Sequence, residues 1–230
     1  QIKNQSKSSI MFKNYLKIAW RNLVKNKGYT AINVGGLALG MAVTLLIGLW
    51  VVDELSYNDF FKEKDKIAQV YQSQTFNGRT GTGPAIPRPL EKALRDGYGD
   101  NFKHLIMSSW TNDLYLKYNE TNLSRPGNYM QREAPELLKL ETIKGEKDGL
   151  REVNSIMLSE STADALFGSE DPIGKIVKVS NQYDLMVTSV FKDIPVNNSF
   201  NDTEYIIPWE QYLASREWVN NAEDQWGNNS

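Results

Sequence analysis

One uncharged apolar stretch constrains the fold of this chain more than any other feature. Residues 32–52 read INVGGLALGMAVTLLIGLWVV, and their polar side chains are limited to Asn33 and Thr44. A helix rises about 1.5 Å per residue, so a helix of this length covers the roughly 30 Å hydrocarbon core of a bilayer. The stretch therefore predicts one membrane-spanning helix over residues 32–52.

The charges on either side of this stretch predict its orientation. Residues 1–52 hold seven Lys and Arg and no Asp or Glu, whereas residues 53–230 set 19 Lys and Arg against all 28 Asp and Glu, a balance of −9. By the positive-inside rule the N-terminus is cytoplasmic and residues 53–230 lie outside. We expect no nucleic acid partner, because an acidic body repels phosphates. The basic residues nearest the stretch are Lys13, Lys17, Arg21, Lys25 and Lys27.

Two other structures are compatible with an apolar stretch near the N-terminus. A cleaved signal peptide usually has an apolar region of about 7–15 residues that ends in small residues. This stretch is longer, and it ends in Leu49-Trp50-Val51-Val52 followed by Asp53 and Glu54. An uncleaved anchor is the favoured interpretation, with the signal peptide and a buried helix of a soluble protein as alternatives.

Residues 1–31 are predicted to contain a basic amphipathic helix. Such a helix lies in the cytoplasmic membrane interface, with its apolar side toward the acyl chains and its cations toward anionic headgroups. We expect Gly28 to let the chain turn into the span, and Met11 to be the natural start. A helix packed only on protein is the alternative. The apolar face comprises Phe12, Leu16, Ala19, Trp20 and Leu23, and the neighbouring basic face comprises Lys13, Lys17, Arg21 and Lys25.

Glycines inside the span predict a helix-packing face. Gly36 and Gly40 form a small-xxx-small pair, with Gly35 beside them. This spacing lets two membrane helices approach closely. The alternative is that glycine is simply common in membrane helices.

Residues 53–230 predict a mixed α+β domain, because their strands and helices follow no regular βαβ rhythm. Residues 77–89, NGRTGTGPAIPRP, are glycine-rich but lack the phosphate-loop spacing and are predicted to be a loop. Ser159 is expected to cap a helix that ends at Gly168. The other expected helices are residues 90–98 and 135–140, and the expected strands are residues 67–76, 105–110, 114–118, 128–132, 156–158, 176–179 and 185–194.

The sequence predicts no catalytic, cofactor or metal site. The chain has no cysteine and one histidine, His104, so a thiol nucleophile, a cysteine-ligated metal site and a histidine-rich metal site are excluded. A Ser-His-Asp triad and a membrane-anchored hydrolase would depend on His104 alone. We expect an ordinary histidine at the edge of a strand.

Four stretches together resemble the permease subunits of MacB/FtsX-type ABC transporters. The first is FKNYLKIAWRNLVKNKGYTAINVGGLALGMA, which covers the interfacial helix and the start of the span. The others are ELSYNDFFKEKDKIAQVY, IMLSESTADALFGSEDPIGK and VTSVFKDIPVNNSF. The resemblance runs from about Met11 to the end of the chain and identifies residues 53–230 as a MacB-like periplasmic core domain.

The resemblance implies a permease in the bacterial inner membrane, working as a homo- or heterodimer with a separate cytoplasmic ATPase that drives movement of the periplasmic domains. Periplasmic adaptors and peptide, lipoprotein or drug cargo are the further partners it implies. The chain has no Walker A motif and ends before the later spans of this family, so we expect a fragment whose ATPase acts in trans. A single-pass sensor or scaffold with the same outer domain is the alternative.

Overall fold

A computed structural model describes residues 2–222 and 224–227, which fall into two compact units divided between Ser56 and Tyr57. Residues 223 and 228–230 lie outside the described residues. Residues 228–230 are the last three residues of the predicted outer domain. Each unit has its own hydrogen-bonded structure and is described separately below.

The first unit consists of two consecutive helices, α1 (Ile2–Lys25) and α2 (Lys27–Leu55). They are separated at Asn26, whose φ of −106° and ψ of 56° leave the helical region. The Thr30 hydroxyl donates a 3.0 Å hydrogen bond to the Leu23 carbonyl across this break. The expectation that Gly28 makes the turn is wrong, because Gly28 lies inside α2. The break needs no glycine, because the φ of Asn26 is negative and is therefore open to residues with a side chain.

Within the described part of the chain, α2 is the one helix long and apolar enough to cross a membrane, judged by length and composition. None of its residues is buried. The Thr44 hydroxyl donates a 2.9 Å hydrogen bond to the Gly40 carbonyl, so the helix itself satisfies this polar side chain.

In its described residues, the second unit contains nine strands and five further α-helices. A separate hairpin pairs β1 with β2, and seven strands form one sheet in the order β5-β8-β6-β9-β4-β3-β7. Because β7 also pairs with β8, six of these strands close into a ring. The elements are β1 (Gln72–Phe76), β2 (Arg79–Gly83), α3 (Pro89–Tyr98), β3 (Asn112–Tyr118), β4 (Thr121–Met130), α4 (Ala134–Leu137), β5 (Thr142–Gly145), β6 (Ser155–Ser159), α5 (Glu160–Phe167), β7 (Ile176–Val179), β8 (Tyr183–Phe191), β9 (Tyr205–Pro208), α6 (Trp209–Ser215) and α7 (Glu217–Asn220).

Two hydrophobic clusters cover the two faces of this sheet. Ile156 and Leu158 of β6 point into a first cluster, which also includes residues of α5, α6 and α7. Met157, the residue between them, points into a second cluster beside α4. Every residue of β6 is buried for this reason. Side chains alternate across a strand, so a strand covered on both faces reads as a continuous apolar run.

The mixed α+β class is confirmed, and the structure corrects several element assignments. Residues 77–89 are not simply a loop, because Asn77 and Gly78 have positive φ and reverse the chain into β2, as an Asn-Gly pair does in a two-residue hairpin turn. Residues 67–71 are outside any strand, and residues 105–110 contain a single bridge, Ser108 to Met130. The helix with Ser159 as N-cap and Gly168 as C-cap is confirmed, and the Ser159 side chain accepts from the Thr162 amide.

Candidate functional site at the junction after the apolar helix

The segment that follows α2 is held to the sheet domain by a distant loop. We call residues 57–67 the junction segment and residues 193–200 the return loop. The Asn58 amide donates to the Asn197 carbonyl at 3.0 Å. The Asn58 side chain also donates to the Ser199 hydroxyl at 3.0 Å and accepts from the Ser199 amide at 2.8 Å. Three hydrogen bonds therefore join two distant parts of the chain, and Asn58 and Ser199, which share two of these bonds, are 141 residues apart.

The backbone at Asn58 is suited to this role. Its φ is +64°, in the left-handed region that asparagine tolerates better than most other residues with a side chain. The amides of Phe61, Lys64 and Ile67 then donate to the carbonyls of Asn58, Phe61 and Lys64 at 3.0–3.1 Å. The junction segment is thus a series of hydrogen-bonded turns and not an extended linker.

An aromatic anchor follows Asn58. Phe61 is 5% exposed and belongs to the second hydrophobic cluster. Its ring meets Phe200 of the return loop edge to face, with centroids 6.0 Å apart. Burying a phenylalanine side chain contributes about 1.5–3 kcal/mol, so this contact adds apolar stabilisation to the Asn58 hydrogen bonds.

One ion pair reinforces the junction segment locally. Lys64 pairs with Asp59, and this hydrogen bond raises the pKa of the Lys64 ammonium. The pair lies at the surface, where the contribution of a salt bridge to stability is small. The junction therefore depends mainly on the contacts of Asn58 and Phe61.

The return loop is in turn fixed to the helix that starts at Ser159. The Asp193 carboxylate accepts hydrogen bonds from the Ser161 amide at 3.1 Å and the Ser161 hydroxyl at 3.0 Å. A carboxylate in this position satisfies amide groups in the first turn of α5. The junction segment, the return loop and α5 are consequently connected by side-chain hydrogen bonds.

Sequence reasoning missed these contacts, although each partner lies in a stretch that carried the family resemblance. Asn58 and Phe61 are in ELSYNDFF, Ser161 is in SESTADALFG, and Ser199 and Phe200 end VFKDIPVNNSF. Sequence spacing alone does not reveal contacts over more than a hundred residues.

The residues predicted from the sequence to act at the membrane lie on the two N-terminal helices. Gly35, Gly36 and Gly40 are exposed on α2, and a Cβ atom added to any of them would meet no other atom within 4 Å. Lys27 is the first residue of α2 and is exposed. The predicted apolar residue Phe12 lies outside the described side chains. The exposed predicted residues of α1 are Lys13, Lys17, Trp20, Arg21 and Lys25, together with the apolar Leu16, Ala19 and Leu23.

His104 is not at the edge of a strand as expected, because residues 102–107 form no strand. Its ring nitrogens face two carboxylates, Glu133 at 3.2 Å and Glu136 at 3.4 Å. A nucleophilic triad would need a hydroxyl at one of these nitrogens. Lys103 also pairs with Glu136. The hydrogen bond from Lys103 lowers the pKa of the Glu136 carboxyl, and the charge of His104 is the second largest cause of this shift. Among the described residues, no group of three His, Asp or Glu side chains could hold a metal ion.

Three solved structures are similar to this chain at low sequence identity. A domain of a putative permease protein from Porphyromonas gingivalis is 18% identical, with a TM-score of 0.50, over 64% of this chain and 66% of that one. The periplasmic region of MacB from Actinobacillus actinomycetemcomitans is 15% identical, with a TM-score of 0.46, over 57% and 59%. The extracellular domain of the noncanonic ABC-type transporter YknZ from Gram-positive bacteria is 21% identical, with a TM-score of 0.46, over 57% and 66%.

These features define a mixed α+β domain that follows a candidate membrane helix. The sequence profile of the MacB-like periplasmic core domain matches residues 30–227, and the chain belongs to this family. The match confirms the resemblance inferred from the four stretches. The chain spans less than two thirds of the length of the three solved relatives, and no curated protein matches it.

Proposed function

We propose that this chain acts within a permease subunit of an ABC transporter, where it couples a membrane helix to a periplasmic domain. In this proposal α2 spans the inner membrane, and a separate cytoplasmic subunit hydrolyses ATP. Movement of α2 is passed through the junction segment to the sheet domain, which meets peptide, lipoprotein or drug cargo or an adaptor protein. The family membership and the rigid construction of the junction support this role.

The observation that carries the proposal is the short covalent path from the end of α2 to the second hydrophobic cluster. The last residue of α2 is Leu55, and Asn58 is already hydrogen-bonded to the return loop. Phe61 is buried three residues later. A flexible linker would absorb the motion of a helix, because its residues sample many conformations. A hydrogen-bonded turn that enters a packed core transmits it, since packed interiors deform little.

The coupling can be measured without knowing the cargo. The chain has no cysteine, so Leu45→Cys in α2 and Val153→Cys in the sheet domain would carry a unique pair of nitroxide labels. We expect a narrow distance distribution by pulsed electron spin resonance on the full chain in lipid nanodiscs. Four Gly and Ser residues inserted between Ser56 and Tyr57 should broaden it, and Asn58→Gly should broaden it less.

The matched control is the same insertion between Ser180 and Asn181, in the turn that joins β7 and β8. Both residues have positive φ in a tight turn, and loop tips tolerate insertions. The distribution should stay narrow in this control. A distribution that is already broad in the uninterrupted chain would contradict the coupling role.

The proposed topology places the N-terminus in the cytoplasm and the sheet domain in the periplasm. It is supported by the basic residues before α2 and by the acidic sheet domain. In intact cells, a membrane-impermeant maleimide that reaches the periplasm should label Val153→Cys. It should label Asn14→Cys only after the inner membrane is opened. Labelling of Asn14→Cys without that opening would refute this orientation.

We also propose that Gly35, Gly36 and Gly40 form the face by which α2 packs on a second membrane helix of the permease dimer. The structure leaves open space beside all three glycines, and small residues at this spacing let a partner backbone approach closely. Gly40→Ile should reduce crosslinking of two copies in the membrane. Ala38→Ile adds a similar side chain on the side of α2 opposite Gly36 and Gly40 and serves as the control. Equal effects of the two substitutions would remove the glycine face from the proposal.

A further inference from the structure

The return loop presents one apolar side chain directly to its surroundings. Val196 is 85% exposed, the largest exposed fraction among the large apolar side chains that the structure describes. The residues two positions away on either side are buried, since Ile194 is 8% exposed and Asn198 is 1% exposed. The Asn198 side chain also accepts a 3.0 Å hydrogen bond from the Phe200 amide. The outward position of Val196 is therefore fixed by its flanking residues.

The covalent chain limits how far this loop can be from the end of α2. Leu55 and Asn58 are three residues apart, so their Cα atoms are separated by at most about 11 Å. Asn58 accepts from the Ser199 amide and donates to the Asn197 carbonyl, and Val196 is the residue before Asn197. Wherever α2 ends, Val196 is nearby.

The length of α2 brings its end to the level of the lipid headgroups. Its 29 residues extend about 43 Å, close to the full thickness of a bilayer including its headgroups, which is about 40–45 Å. The chain then turns at residues 56–60. Tyr57 in this turn is 46% exposed, and tyrosine is enriched at membrane interfaces because its ring is apolar and its hydroxyl is polar.

We propose that Val196 and Tyr57 form a membrane-contact surface that rests on the headgroup and acyl boundary of the outer leaflet. The inference builds on the proposed span, because it requires α2 to lie in the bilayer. A single exposed valine is unremarkable on a protein surface in general. Here the argument comes from its position, since the nearest large apolar environment is the membrane that surrounds α2. Contact at this point would hold the sheet domain at a defined height above the bilayer.

The test uses three single-cysteine variants of the full chain in vesicles of phosphatidylethanolamine and phosphatidylglycerol. Nitroxide labels at Val196→Cys, Leu45→Cys and Val153→Cys would be compared for collision with oxygen, which concentrates in lipid, and with a water-soluble nickel chelate. Val153 is 46% exposed and precedes β6, whereas Val196 follows β8. Since β6 and β8 are parallel, the two valines lie at opposite ends of these strands.

We expect oxygen collisions to exceed nickel collisions at Val196→Cys and Leu45→Cys, with the reverse at Val153→Cys. If Val196→Cys behaves like Val153→Cys while Leu45→Cys is in lipid, the contact surface is refuted and the span stands. If Leu45→Cys is itself in water, both proposals fail. Low collision with both reagents at Val196→Cys would mean that protein covers it, which also overturns the lipid contact.

Discussion

Helix α2 and strand β6 are both apolar, yet they meet opposite surroundings. None of the 29 residues of α2 is buried, whereas all five residues of β6 are. The strand is enclosed because the sheet has a hydrophobic cluster on each face. The helix finds no such cover within its own unit.

This difference shows that an apolar sequence alone does not determine whether the protein itself buries its apolar side chains. A soluble monomer rarely exposes a contiguous apolar patch larger than a few hundred Å², so the surface of α2 needs lipid or another helix to cover it. The backbone of α2 is compatible with lipid, because a helix satisfies its own hydrogen bonds and Thr44 bonds within it. The following predictions test this division between protein-covered and lipid-covered surface.

The largest effect is expected from truncating a side chain in the sheet. Phe191 is 0% exposed in the second cluster, and Phe191→Ala should lower the free energy of unfolding of the sheet domain by about 3–5 kcal/mol. Urea titration of the full chain in detergent micelles measures this change. Leu46→Ala in α2, where Leu46 is 67% exposed, should leave the same transition unchanged. Equal losses would show that α2 is part of the folded core.

Elements were predicted correctly from the sequence where the interacting residues are close together along the chain, and they were missed where these residues are far apart along it. The α5 helix was predicted correctly because its signals are local, with a capping serine at one end and a glycine at the other. Strand β9 was missed because its run of four apolar residues ends in Pro208 and has no alternation. Its identity as a strand comes from pairing with β4 and β6, which are distant in sequence.

The start of β4 was missed for a similar reason. Arg125-Pro126-Gly127 is typical of a turn, yet these residues pair with β3. The contacts of the candidate site were also missed, because Asn58 and Ser199 are far apart in the sequence and neither has a local signal for its partner. By contrast, the composition and flanking charge of residues 32–52 are local properties, and they predicted the apolar helix directly.

The second largest effect is expected from a charge introduced into α2, compared with the same charge on the surface of the sheet domain. Leu45→Asp in the middle of α2 should cost about 2.5–3.5 kcal/mol in membrane insertion, because lipid cannot solvate the carboxylate. Ile176→Asp is the comparison, since Ile176 is 50% exposed on the sheet domain. The fraction of each variant that sediments with membranes after a carbonate wash measures insertion. Full insertion of the Leu45→Asp variant would argue that α2 is covered by protein.

A glycine from each region gives a smaller contrast. A Cβ atom at Gly127 of β4 would lie 2.5 Å from the backbone carbonyl oxygen of Tyr205 and 2.6 Å from the Tyr205 ring. Gly127→Ala should therefore destabilise the sheet domain by about 1–3 kcal/mol through overpacking. Gly40→Ala meets no atom within 4 Å in α2 and should leave urea unfolding of the sheet domain unchanged. A neutral Gly127→Ala would mean that β4 and β9 are free to separate.

The smallest effect concerns a charge pair on the surface of the sheet domain, between Arg132 and Asp148. Hydrogen bonding to Arg132 lowers the pKa of the Asp148 carboxyl below its ordinary value. A lowered carboxyl pKa stabilises the folded state above the ordinary pKa, and that stabilisation is lost as the pH falls through the folded-state pKa. Asp148→Asn should therefore reduce stability slightly at neutral pH and remove part of the loss seen on acidification. Both partners are solvent-accessible, so high salt should shrink the difference in stability between the variant and the unsubstituted chain at neutral pH. A difference that persists in high salt would mean that Asp148 acts through packing and not through charge.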